Sequence, residues 1–147
     1  MNYQKLISHR GNIDGAEKNI ENTTFAIEKA INNGFDCEVD LWINEKSIYL
    51  GHDKPQYKIE LSFLNEFRDK LWIHCKNFEA LVYMQNKDQD FNYFWHENDR
   101  FTITSKGYLW TYPGNKYSEN SVIVNLGKNL ILESNCFGIC SDYVKHY

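Results

Sequence analysis

The chain has 147 residues, a length that suits one domain, with 42% hydrophobic, 16% aromatic and 24% charged residues. That composition excludes a disordered chain, and a net charge of -4 argues against a nucleic-acid binder, which needs a basic surface to neutralise phosphate. No apolar run nears the roughly 20 residues of a membrane span, and MNYQKLISHRG contains no apolar signal region, so one soluble, cytoplasmic domain over 1–147, without stable membrane insertion, is expected. Cys37, Cys75, Cys136 and Cys140 form no CxxC pair and read as buried, reduced thiols.

Lys5–Ser8 reads as a short buried strand that runs into His9-Arg10-Gly11 and a polar loop. NTTFAIEKAINNG has apolar residues at helical spacing, Asn22 or Thr23 as a cap, and Gly34 to end it. Phe35–Ile43 alternates with period two, placing Asp36, Glu38, Asp40 and Trp42 on one face of a strand. EKS turns the chain into a second strand, IYLGHD, which ends at His52-Asp53. ELSFLNEFRD predicts a short helix, LWIHCK a strand, and NFEALVYMQNK a helix capped by Asn77. The last third reads as strands and turns: FNYFWHEND, FTITSKGYLWTYPG, NSVIVNLG and CFGICSDYV. Alternating strands and helices predict parallel βαβ units, whose sites form at the C-terminal ends of strands. His9-Arg10, Glu38/Asp40, His52-Asp53 and His74/Lys76 all fall there.

Residues i and i+2 of a strand share a face, so the carboxylates of Glu38 and Asp40 converge. They form either a solvated strand face or a buried pair neutralised by a hard divalent cation. His9 and His52 can give and take protons near neutral pH and suit an acid/base pair about a scissile bond. Arg10 and Lys76 offer cations for a phosphate; either could instead pair with Glu38 or Asp40.

SHRGN…ENTTFAIEKAINNGFDCEVDLWI…IYLGHD resembles the glycerophosphodiester phosphodiesterase family, part of the phosphodiesterase group that includes phosphatidylinositol-specific phospholipase C. The pattern of that family is a strand ending His-Arg-Gly, a Glu-Asn-Thr helix start, a Glu-x-Asp strand and a strand ending His-Asp, and all occur here in order. LWIHCK resembles its Glu-x-Lys strand, GYLWTYPG its Trp-Thr strand, and CFGICSDYV its final Gly-Ile-x-Thr-Asp-Tyr strand. The resemblance implies His9 and His52 as the acid/base pair, Arg10 and Lys76 as phosphate contacts, and Glu38 and Asp40 as metal ligands. It also implies attack by a substrate hydroxyl on phosphorus to give a cyclic phosphate that water then opens.

His74 stands where the family's third ligand is a glutamate. The expected ion is therefore Mg²⁺ or Ca²⁺ from the carboxylates, with Mn²⁺ or Zn²⁺ admitted by the imidazole. His96 offers a further ligand, with Glu97 beside it, or is an ordinary strand-end residue. The usual (β/α)8 barrel takes about 250 residues, and this chain lacks the family's insertion after the His-Asp strand. The expectation is an α/β fold, a minimal (β/α)8 TIM-type barrel with outer helices reduced to turns and room for a homo-oligomer to cover bare strands. The expected activity is metal-dependent hydrolysis of a small soluble phosphodiester, a glycerophosphodiester or a surface-polysaccharide precursor. The alternative is a non-catalytic relative that binds a phosphate or sugar phosphate. A lipid-headgroup enzyme is disfavoured by the lack of a basic amphipathic segment.

Overall fold

A computed structural model of the chain describes residues 3–86, 90–131 and 135–147. The elements in order are β1 (Lys5–His9), α1 (Thr24–Asn32), β2 (Asp36–Asn44), β3 (Ser47–Leu50), β4 (Tyr57–Ile59), α2 (Leu61–Glu66), β5 (Leu71–Cys75), α3 (Phe78–Gln85), β6 (Asn92–Trp95), β7 (Phe101–Ile103), β8 (Leu109–Thr111), β9 (Ser121–Asn125) and β10 (Gly138–Ser141). The caps expected from sequence form: Thr23 Oγ1 accepts from the Ala26 N–H and starts α1, and Asn77 Oδ1 accepts from the Ala80 N–H and starts α3. The expected last residue of that helix, Lys87, lies outside the described residues.

All ten strands belong to one strongly curled mixed sheet. β6, β5, β2, β1, β10, β9 and β8 lie side by side and parallel, while β3, β4 and β7 run antiparallel to their neighbours. This is a half-barrel with three short helices, and it corrects the expected (β/α)8 TIM-type barrel. The reason lies in the connections. β2 returns as β3 through Glu45 and Lys46, both at positive φ (48° and 68°), a two-residue hairpin turn with no room for a helix. β7 likewise pairs antiparallel with β8, and the described residues between β8 and β10 form no helix.

Side-chain alternation along the strands separates two cores. The outward residues Cys37, Val39, Leu41, Ile73 and Cys75 pack beneath Ile27 of α1, Leu64 of α2 and Ala80 and Met84 of α3. Each fully buried Leu or Ile there contributes about 1.5–3 kcal/mol. The inward residues Ile7, Trp72, Phe94, Trp110, Val122, Val124 and Cys140 fill the concave side. The curl brings Phe94 of β6 against Trp110 of β8, ring centroids 4.8 Å apart. At one end of this interior Asp36 is held by Lys5 Nζ at 2.9 Å, Lys70 Nζ at 3.3 Å and the Trp72 indole N–H at 3.2 Å. The opposite end, where the parallel strands finish, carries His9, Asp40 and His74. Among the described residues no helix is long and apolar enough to cross a membrane.

Candidate functional site

Period two along two neighbouring strands assembles the centre. Glu38 and Asp40 on β2 and His74 on β5 point into the concave side, and register sets Asp40 opposite His74. One ligand atom from each of the three lies within 4.8 Å of the others, a span that a single ion with bonds of about 2.1–2.4 Å can bridge.

The hydrogen bonds around His74 determine what its ring offers. Its Nε2 is 3.0 Å from the His96 carbonyl oxygen, which only accepts, so Nε2 carries a proton. Nδ1 then faces Asp40 Oδ1 at 3.2 Å and Glu38 Oε1 at 3.7 Å. In a neutral ring that is a lone pair aimed at two carboxylates. A proton on Nδ1 answers Asp40 alone; a cation among the three groups answers all of them. Two further observations fit the cation. Glu38 Oε2 is buried without a hydrogen-bond partner, a costly arrangement for a carboxylate unless an ion coordinates it. Burial and the neighbouring Asp40 charge push the Glu38 carboxyl up, a penalty that a divalent ion would reverse. Burial acts on Asp40 in the same sense, but His74, Arg10 and Lys76 outweigh it and hold that carboxyl below the usual range. Glu38, Asp40 and His74 are thus a group that fits a divalent metal ion. His96 stands outside it: its Nε2 is 2.7 Å from the Tyr112 hydroxyl.

Asp40 is gripped from two sides. Asn22 donates from Nδ2 to Asp40 Oδ2 at 2.9 Å and accepts the Asp40 N–H on Oδ1 at 2.9 Å. Arg10 Nε approaches the same Oδ2 at 2.9 Å, and Arg10 Nη1 reaches Glu21 Oε2 at 3.4 Å. Arg10 and Asn22 both adopt positive φ, 55° and 60°, sparsely populated conformations that concentrate at functional sites. Gly11 beside Arg10 has φ +89°, and a Cβ there would meet Ala26 Cβ at 2.6 Å, so α1 can pack against the end of β1 only above a glycine.

His9 sits at the end of β1, buried, with Nδ1 2.7 Å from Asp142 Oδ1. Asp142 also accepts from Asn12 Nδ2 at 2.7 Å. The Nδ1–H bond leaves Nε2, 3.9 Å from Glu38 Oε2, facing the cavity. Burial disfavours the imidazolium, but Asp142 and Glu38 outweigh it and raise the His9 pKa. His52 follows β3 on the rim. Its side chain is 44% exposed, Nδ1 is 2.8 Å from Asp53 Oδ1, and partial burial and Arg10 lower its pKa. Lys76 Nζ is 3.6 Å from Asp40 Oδ1.

A cavity of about 300 Å³ joins these residues: His9, Arg10, Glu38, His52, His74 and Lys76 line it, together with Trp95, His96, Trp110, Tyr112, Val124 and Leu126. Asp40 lies behind that wall, fully buried. The candidate residues read from sequence therefore meet at one place. Both cations, however, contact Asp40, as the structural alternative had it. Sequence reasoning assigned no role to Asp142 or Tyr112 and offered Asn22 only as an alternative helix cap, a position that Thr23 takes while Asn22 holds Asp40. Asp142 was within reach, because Gly138, Cys140 and Asp142 continue one face of β10 with period two; Tyr112 continues the inward face of β8 in the same way. Burial raises the Tyr112 phenol to about 12, so it stays protonated.

Comparison with known proteins finds no matching family model, curated protein or solved structure.

Proposed function

We propose that this site hydrolyses small phosphodiesters with a divalent ion held by Glu38, Asp40 and His74. The observation that carries the reading is the convergence of a metal-ligating group, an aspartate-anchored histidine and two cations on one cavity. The ion, when bound, supplies positive charge against the developing charge on phosphoryl oxygens. An imidazole in the ligand set favours Mn²⁺ or Zn²⁺ over the Mg²⁺ or Ca²⁺ that three oxygen ligands would favour.

The protein's own groups divide the remaining work. Lys76 places positive charge on the cavity wall, and the Arg10 guanidinium, aligned by Asp40 and Glu21, does so beside it. His9 and His52 carry protons: one accepts from the attacking hydroxyl or water, and the other donates to the leaving oxygen. Their pKa values move in opposite directions, His9 up and His52 down, which favours one ring protonated and the other neutral at the same pH. Asp142 fixes the tautomer and orientation of His9.

Metal-stripped protein assayed on bis(p-nitrophenyl) phosphate and glycerophosphocholine, with Mg²⁺, Mn²⁺, Ca²⁺ or Zn²⁺ restored singly, tests the proposal. Turnover that needs the ion and disappears in His9→Ala and His52→Ala is expected. Turnover indifferent to chelation, or retained in both variants, defeats it. A second reading, a phosphate or sugar-phosphate binding module, draws on the engagement of Arg10 by Asp40 and Glu21. Binding of glycerol 3-phosphate without hydrolysis of any diester would select it.

A further inference from the structure

Arg10 and His52 line a second cavity as well, of about 400 Å³, which continues outward between the loop after β1 and the loop after β3. Its walls add Lys18, Glu21, Asp53 and Lys54. The two acids are already engaged: Glu21 by Arg10 Nη1 at 3.4 Å and Asn12 Nδ2 at 2.9 Å, Asp53 by His52 Nδ1 at 2.8 Å. Among the described residues Lys18 and Lys54 have no ion-pair partner. Two exposed lysines without an ion-pair partner thus line a cavity that shares Arg10 and His52 with the proposed phosphodiester site, on a protein whose net charge is -4.

Both lysines stand on turns tied to that site. The Glu17 N–H donates to Asn12 Oδ1 at 3.0 Å, and the Ile20 and Glu21 N–H groups return to the Glu17 carbonyl at 2.9 and 3.0 Å, a closed turn around Lys18. The Asn22 N–H, at the end of that turn, donates to the Arg10 carbonyl at 3.0 Å. On the other side the Gly51 N–H bonds the Asp40 carbonyl at 3.1 Å, the Trp42 indole N–H bonds the Gly51 carbonyl at 2.6 Å, and the Gln56 N–H bonds the Leu50 carbonyl at 3.0 Å. Gly51, at φ +154°, is packed so tightly against the Lys54 carbonyl that no side chain fits there, and Pro55 stiffens the return. The backbones that carry the two ammonium groups are therefore ordered before a ligand arrives, which reduces the entropy cost of using them.

We propose that the Lys18–Lys54 cavity is an anion subsite of the same centre, and that the substrate carries a second phosphate on one of its alcohol groups. This rests on the phosphodiester reading for the identity of the first phosphate. With one phosphoryl group at the metal-ligating residues, the second lies between Lys18 and Lys54, with His52 and Arg10 at the junction.

Calorimetric titration of the Mn²⁺-supplied protein with glycerol 3-phosphate and with glycerol 1,3-bisphosphate tests the subsite without requiring turnover. The bisphosphate is expected to bind roughly fivefold or more tightly at low ionic strength, the scale of two exposed charge contacts, with the preference shrinking as salt is added. Lys18→Ala/Lys54→Ala should abolish the preference, and Lys116→Ala/Lys128→Ala, the same charge change elsewhere, should keep it. Equal affinities, no measurable binding of either compound, a preference that survives Lys18→Ala/Lys54→Ala, or one lost equally in Lys116→Ala/Lys128→Ala overturns the subsite. Diester hydrolysis by a protein with no bisphosphate preference leaves the phosphodiesterase reading standing alone. A lysine-dependent preference in a protein that hydrolyses no diester keeps the subsite and removes the hydrolase.

Discussion

His9 Nδ1 and Asp142 Oδ1 are 2.7 Å apart across 133 residues of chain. The contact exists because β1 and β10 pair in parallel, with Ser8 beside Ser141, so that the next residues meet where the strands end. An aspartate in that position fixes which imidazole nitrogen carries the proton. Asp142→Asn retains the shape and the Asn12 contact while removing the charge. Turnover of a phosphodiester should fall on the order of 10²-fold, the scale of one acid/base contribution, with KM nearly unchanged. A steady-state assay of the folded variant checks this, and a fall of less than threefold would show that His9 needs no anchor.

The same pair sets a pH window for stability. The folded pKa of His9 is raised, so its contribution is complete below the ordinary histidine value of about 6.5 and is lost as pH rises through the folded value. The pKa of Asp142 is lowered: burial opposes ionisation, and the bond to His9 outweighs it. Its contribution is complete above the ordinary aspartate value of about 3.9 and is lost as pH falls through the folded value. Coupling between the two side chains should therefore peak between about pH 4 and 6.5. Urea unfolding of His9→Ala, Asp142→Ala and the double variant across pH measures it, and a coupling independent of pH contradicts the ionic description.

A divalent ion that binds the Glu38, Asp40 and His74 group stabilises the folded chain. At a hundredfold excess over its Kd it adds about 2.7 kcal/mol, or roughly 5–10 °C in Tm for a domain of this size. Mn²⁺ and Zn²⁺ should give the larger shifts, and His74→Ala should remove most of them. His74→Glu should lower the Tm of the chelated protein, by adding a third buried carboxylate, and move the preference toward Mg²⁺ and Ca²⁺. Differential scanning fluorimetry with each ion reads both effects, and identical shifts in wild type and His74→Ala would exclude His74 as a ligand.

Asn22 holds Asp40 by a reciprocal pair of hydrogen bonds while at φ 60°. Asn22→Ala breaks both bonds, leaves a buried carboxylate oxygen and N–H short of partners, and places a Cβ residue in a left-handed conformation. The expected loss is about 2–4 kcal/mol. Asn22→Gly keeps the backbone and loses only the bonds, so it should lie about 1 kcal/mol above the alanine variant. Chemical denaturation orders the two, and equal stabilities would mean that the conformation costs nothing at this position.

Legibility in the sequence followed distance along the chain. Glu38 with Asp40 and His74 with Lys76 were visible because one strand periodicity places each pair on one face. Thr23 and Asn77 were visible because caps act within three residues. Period two marks Asp142 as inward-facing, but nothing local to LISHRGN indicates that it closes beside His9. Arg10 reads from sequence as either a phosphate contact or a partner of Glu38 or Asp40; at φ 55° its guanidinium meets Asp40, and no propensity reports such a turn. The barrel failed for a related reason. Strand periodicity marks β3, β7 and β8 as strands but says nothing of direction, and the antiparallel returns at Glu45-Lys46 and before β8 remove the helices that a closed ring of βα units requires.

The pairing of β1 with β10 also has a consequence during synthesis. By the time β5 is complete, Glu38, Asp40 and His74 have all been made and can come together around an ion. His9 still lacks Asp142 then, and one edge of β1 has no neighbour. A nascent or truncated chain ending before Gly138 would hold the candidate metal group but leave that histidine untethered and a strand edge open to other chains. Completion of the His9–Asp142 pair, the proposed proton-handling half of the centre, is thereby tied to completion of the sheet.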